Sequence, residues 1–152
     1  MFTCPMLLLA QGTDSELNCA LSPGMIVQKD VFAELNVIVG KVVADNMMVG
    51  IAGLRIGAES NLESNSDFIL APKIGFEASG VLFSGLISAV NYFQNGNSEF
   101  RMVPEIGFSL GGFVNLTYGY GIKFETSDIR NLSQHRISFT FNLNRELIDG
   151  LK

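Results

Sequence analysis

The 152-residue chain has no tryptophan, one histidine, two cysteines and four prolines, and only 16% of its residues are charged. Each shortage narrows the field. A charged share well under the usual ~25%, beside 47% hydrophobic residues, excludes an intrinsically disordered chain. No apolar run is long enough for a spanning helix, since Met47 to Leu54 reaches about half of the roughly 20 residues that one needs. A helical membrane protein is therefore excluded. With a net charge of -5 and no cluster of Lys and Arg on any one stretch, nothing marks a nucleic-acid surface. The cysteines, Cys4 and Cys19, both precede the strand-rich part, and their spacing supports neither a zinc site nor a disulfide framework. A bridge between the two is left open.

What is abundant is glycine and phenylalanine, 16 and 12 residues. Glycine weakens helix interiors and aromatic rings pack well on pleated surfaces, so this pair favours short strands and tight turns, and the length fits one domain. The glycines follow no triplet, which excludes a collagen-like fibre. At the N-terminus, Pro5 to Ala10 is a short apolar run closed by a small residue, like the end of a secretory h-region and its cleavage site. A basic n-region is missing, and an ordinary hydrophobic tail reads the same way. The expected organisation is therefore a truncated signal peptide over 1–10, an N-terminal segment over 11–30, a β-barrel over 31–144 and a tail over 145–152.

The strongest periodicity lies in Phe113 to Glu125. Val114, Leu116, Tyr118, Tyr120, Ile122 and Phe124 alternate with Asn115, Thr117, Gly119, Gly121, Lys123 and Glu125. Thirteen residues at period two predict a strand, because a helix would scatter the apolar side chains around its circumference. Arg136 to Asn144, Glu99 to Gly111, Asp67 to Ser79, Met47 to Ser60 and Phe32 to Val43 repeat the rule. In the last of these Lys41 breaks phase, as a lysine snorkelling near a strand end would. Val81 to Gln94 is apolar on both faces and would also suit a short helix; the turns that bracket it select a strand. Leu21 to Lys29 leaves room for an eighth. Pro72 to Phe76 is echoed 32 residues later by Pro104 to Phe108, and the two internal prolines call for bulges or strand ends.

The polar phase carries Glu34, Glu59, Glu77, Glu105 and Glu125 against Arg55, Lys73, Arg101, Lys123 and Arg136. Five acids matched by five bases, in a chain with 15 against 10 overall, suit a closed lumen whose charges must pair. Gly57, Gly75, Gly107, Gly119 and Gly121, in the same phase, would make room for these long side chains. The predicted fold is an all-β, antiparallel up-and-down barrel of about eight strands. Two barrels fit the pattern: a membrane barrel with lipid on its apolar face, and a soluble lipocalin-like barrel holding an apolar ligand against that face.

Three segments, Pro104 to Gly107, Gly112 to Tyr120 and His135 to Leu143, resemble the small outer-membrane β-barrel proteins of Bacteroidetes-type bacteria, and the likeness runs from Val31 to Asn144. The resemblance implies residence in a bacterial outer membrane, with membrane lipid as the surrounding partner, and an eight-stranded antiparallel barrel. It implies no particular activity. The chain departs from the pattern at its end, where Arg145 to Lys152 follow the last strand.

Chemistry-bearing motifs are scarce. His135 reads as a loop residue, the paired carboxylates suit lumen packing better than acid/base work, and Gly111-Gly112 and Gly119-Tyr120-Gly121 lack the helix and lysine of a phosphate loop. Two Asn-X-Ser/Thr triplets, at Asn115 and Asn131, are short enough to arise by chance. The expectation is a non-enzymatic structural or surface-interaction barrel, with no catalytic residue, cofactor, metal or nucleic-acid partner. A soluble or periplasmic barrel binding an apolar ligand is the rival, and a lipid-modifying membrane enzyme comes third.

Overall fold

The structure is a computed structural model that describes residues 17–45, 48–62, 68–94, 96–124, 129 and 132–144. The described residues form nine strands: β1 (Asn18–Val27), β2 (Val31–Asp45), β3 (Met48–Asn61), β4 (Leu70–Ser79), β5 (Phe83–Gln94), β6 (Asn97–Leu110), β7 (Val114–Tyr120), β8 (Ile122–Lys123) and β9 (His135–Phe141). Each pairs antiparallel with its neighbour, β5 pairs with β6, and β9 returns to β1, so the sheet closes. β7 and β8 pair with β6 in one register and form a single staved position. The fold is an eight-stranded, up-and-down antiparallel barrel. The region expected to hold an eighth strand supplies β1, and Val81 to Gln94 is extended, as its flanking turns predicted. The stretches 1–10 and 145–152 lie outside the described residues.

The register fixes the barrel's dimensions. Starting at Lys41 and stepping across Ala52, Ala78, Gly85, Ile106, Tyr118, Ile137 and Val27, the pairing returns to β2 at Val31, ten residues from where it began. Eight strands with that stagger tilt about 40° from the axis, for a rise of ~3.3 Å per residue and ~4.8 Å between strands. A cylinder of this size holds side chains and little else.

The expectation of bulges at the prolines is contradicted, and that of strand ends holds only for Pro72. Pro72 is the third residue of β4 and Pro104 sits mid-strand in β6, and the register passes each without a shift. What lapses is the ladder to one neighbour: β4 to β5 opposite Ala71 and Pro72, β6 to β7 and β8 around Val103 and Pro104, and β1 to β9 around Ser22 and Pro23. A proline has no N–H to donate, so it keeps its place in the strand and loses one side's bonding. Pro72 and Pro104 both face outward, in strands running the same way, which explains the 32-residue echo as equivalent places in two successive hairpins.

Glycines act differently from the expectation at three places. A Cβ on Gly107 would lie 2.0 Å from the Leu116 carbonyl oxygen and 2.6 Å from Thr117 Cα, and Gly57 and Gly75 are likewise pressed against neighbouring backbone. They permit the close strand approach on the inner side of a narrow barrel. Of the five, Gly119 and Gly121 make room for long side chains, those of Glu105, Arg136 and Arg101. Gly107→Ala is expected to cost about 1–3 kcal/mol as overpacking, whereas Gly85→Ala, with nothing within 4 Å of its added carbon, should stay within about 0.5 kcal/mol in the same urea titration.

Candidate functional site

Period-two alternation has one consequence that dominates this molecule: the polar phase points inward and the apolar phase outward. Along β7, Asn115, Thr117 and Gly119 are buried while Leu116, Tyr118 and Tyr120 are exposed. Along β6, Glu99, Arg101 and Glu105 are buried, and Ile106 and Phe108 are each 70% exposed.

Inside, seven of the buried charges form one continuous network. Arg136 donates from Nη2 to Glu59 at 2.7 Å, and its Nε stands 2.9 Å from Glu105 in a second ion pair. Lys73 bridges Glu59, at 3.1 Å, and Glu34. Arg55 joins Glu34, at 3.4 Å, to Glu77, at 2.5 Å. One chain of ion pairs thus runs Glu105, Arg136, Glu59, Lys73, Glu34, Arg55, Glu77, drawn from β2, β3, β4, β6 and β9. The remaining acceptor capacity is met by neutral donors. Asn115, Asn142 and Ser79 donate to Glu77, Thr117 and Ser138 to Glu105, and Asn36 to Glu34, at 2.7 to 3.2 Å. The Tyr92 hydroxyl accepts from Arg136 at 3.1 Å and donates to Glu59 at 3.3 Å. Burying charges is costly unless they are paired and hydrogen-bonded, and here each carboxylate has both.

Nearer the end of the barrel where β1 joins β2, the loop end as against the turn end where β2 joins β3, Arg101 pairs with Glu99, donates to the Ser133 carbonyl at 2.7 Å, and lies over the Tyr92 ring 5.5 Å from its centroid. An apolar cluster of Ile26, Phe32, Ile69, Ala71, Val90, Tyr92, Val103, Ile129 and Leu132 packs around that end of the lumen. At the turn end Ala20, Ile38 and Ile51 pack together, with Val42 and Val49 against them.

Eight of the expected lumen residues are therefore buried inside: Glu34, Arg55, Glu59, Lys73, Glu77, Arg101, Glu105 and Arg136. Lys123 stands at the rim, its side chain 38% exposed and 3.8 Å from Glu99, because β8 ends there. Glu125 lies outside the described residues. Glu99 completes the described set and was missed by sequence reasoning, although its parity matches that of Arg101 two residues on. Tyr92 was also missed, since it lies in the strand that reads apolar on both faces.

The outer surface is the second candidate. On β6 the outward phase, Phe100, Met102, Pro104, Ile106, Phe108 and Leu110, is apolar throughout and exposed except for the half-buried Met102, over ten residue steps. At ~3.3 Å per residue and a tilt of about 40°, that band stands roughly 25 Å tall. Phe68, Phe93, Phe100 and Phe124 stand toward the loop end beside β4, β5, β6 and β8, Phe83, Phe108 and Phe141 toward the turn end on β5, β6 and β9, and Leu35, Ile56, Ile74, Ile87 and Ile106 fill the middle. His135 is exposed on this surface and its Nδ1 is bonded to the Tyr118 hydroxyl, so the loop position expected for it is corrected to the first residue of β9. Among the described residues no group of three His, Cys, Asp or Glu side chains could hold a metal ion.

Compared with protein-family models, with curated proteins and with solved structures, the chain matches none.

Proposed function

We propose that the chain is a small β-barrel of the bacterial outer membrane, with a charge-filled lumen, a structural or surface-interaction role, membrane lipid as its surrounding partner and no catalytic activity. The observation that carries this reading is the outward apolar band. Monomeric soluble proteins rarely expose contiguous apolar patches beyond a few hundred Å², whereas this band encircles the barrel. Its height matches the ~25 Å apolar belt of a membrane barrel, phenylalanines stand at both margins of the band on the β4 to β9 side, and a closed barrel leaves no unpaired edge to lipid. Connection lengths suggest an orientation. At one end the strands are joined by 46–47, 80–82 and 111–113; at the other by 28–30, 62–69, 95–96 and 124–134. Short turns belong on the periplasmic side and longer loops outside.

The rival reading, a soluble barrel with an apolar ligand inside, draws its best support from the apolar cluster at the loop end, but that cluster is packed by the barrel's own side chains. Cell fractionation separates the two readings: the membrane reading requires recovery with outer membranes and release only by detergent, and recovery in the soluble fraction would overturn it. The filled lumen adds a second expectation. In planar bilayers the protein should show no stepwise ion conductance, and porin-like steps would contradict a lumen closed by the Arg136 and Arg55 networks.

A further inference from the structure

The outer band is not uniform. Between the turn ends of β3 and β4 lies a groove of about 290 Å³, lined by residues 49–52 and 78–81. Its floor is small: Ala52 pairs with Ala78, where the next outward pairs along the same two strands are Leu54 with Phe76 and Ile56 with Ile74. Gly50 and Gly80 continue the floor past the last paired residues. The backbone at Ile51–Ser79 and Ala52–Ala78 is already paired in the ladder, so the groove offers an occupant apolar contact and no free strand to extend.

Beside this groove stands Lys41. It is exposed, it occupies the outward phase after Leu35, Val37 and Val39, and it is the direct partner of Ala52. Directly opposed residues on one face hold their Cβ atoms about 5 Å apart, which puts the root of the lysine at the groove's margin. Among the described residues it is the one Lys or Arg on the outer face of the strands; Lys29 is in a turn at the far end, and the others point inward or stand at the rim. A long side chain near the end of an apolar band carries its ammonium to the polar boundary.

We infer that this corner of the barrel binds an anionic glycerophospholipid, its headgroup phosphate on the Lys41 ammonium and one acyl chain in the groove over Ala52 and Ala78. The inference rests on the reading of the outer face as lipid-facing. An acyl chain suits a narrow apolar trough with no hydrogen-bonding demand. An anionic headgroup suits a cation with no acidic neighbour at its paired position, whereas a zwitterionic lipid already carries a cation beside its own phosphate.

The test uses full-length protein in which Cys4 and Cys19 are replaced by serine, with a fluorophore on Leu54→Cys, just beyond the groove, or on Ile106→Cys, three strands away. Each is reconstituted in phosphatidylcholine vesicles containing a minor fraction of lipid brominated on its acyl chains, bearing either a phosphatidylglycerol or a phosphatidylcholine head. Position 54 should be quenched more by the brominated phosphatidylglycerol, as though it were enriched about fivefold there, the scale of one lysine's pull on an anionic headgroup. Position 106 should show no headgroup preference. Lys41→Gln should abolish the preference at 54, Lys41→Arg should keep it, and Ala52→Phe, which fills the trough but leaves the charge, should also abolish it. Equal quenching by the two lipids at 54 would overturn the lipid site and leave the membrane reading standing. A preference that survives Ala52→Phe would overturn the groove's part in it. Absence of quenching at both positions would remove the membrane reading on which the site rests.

Discussion

Arg136→Met should destabilise the barrel by about 3–5 kcal/mol, the scale of breaking a buried ion pair and leaving its partner charged in a dry interior. Arg136 is the one cation within ion-pairing distance of Glu105 among the described residues, and it also holds Glu59 and the Tyr92 hydroxyl. Methionine fills a similar volume and supplies no donor, so Glu105 would keep only the hydroxyls of Thr117 and Ser138. Urea unfolding in detergent micelles measures the loss. Adding Glu105→Gln should restore part of it, since the second change removes the stranded charge while keeping acceptor and donor groups. A loss below about 1 kcal/mol for the single variant would mean that the network is wetter and looser than its burial indicates.

Ile106→Arg probes the other face, and its effect depends on what surrounds the barrel. Ile106 is 70% exposed, so in a water-soluble barrel the change would fall within the roughly ±0.5 kcal/mol typical of surface substitutions. Facing lipid near the middle of the apolar band, the same arginine should cost about 2–4 kcal/mol. Unfolding from phospholipid vesicles should therefore show a large loss, and a Leu110→Arg variant, closer to the turn end of β6, a smaller one. A neutral effect of Ile106→Arg in vesicles would count against a lipid-facing β6.

Much of this architecture is legible in the chain because a strand writes its two environments into alternate residues. Leu116 and Thr117 cannot share a face, and once β7 is extended all its neighbours inherit the same sorting. Legibility fails where that rule is diluted. In β5 the inward residues Ser84, Leu86, Ser88, Val90 and Tyr92 mix hydroxyls with members of the apolar plug, so both faces look apolar and even the strand itself competes with a helix. Glu99 is harder to read because it precedes Phe100, the first apolar residue of β6, so no apolar neighbour on its N-terminal side fixes its phase. The prolines announce lost hydrogen bonds, but which neighbouring strand loses them depends on the side to which each backbone nitrogen points, a property of register rather than of sequence. Gly57, Gly75 and Gly107 carry a similar message. A missing Cβ reads as space, and only the folded barrel reveals that neighbouring backbone, not a long side chain, occupies it.

The orientation of the apolar face toward lipid is tested most directly by acyl-chain contact at one outward residue. With Cys4 and Cys19 replaced by serine, a fluorophore is placed on Leu116→Cys, in the exposed phase of β7, or on Lys29→Cys, in the exposed turn between β1 and β2. The proteins are reconstituted in vesicles whose lipids carry a nitroxide partway down the acyl chain. Strong quenching at 116 with weak quenching at 29 is the predicted result. Quenching at 116 no greater than at 29, in protein that has recovered its folded barrel, would contradict a lipid-facing apolar band.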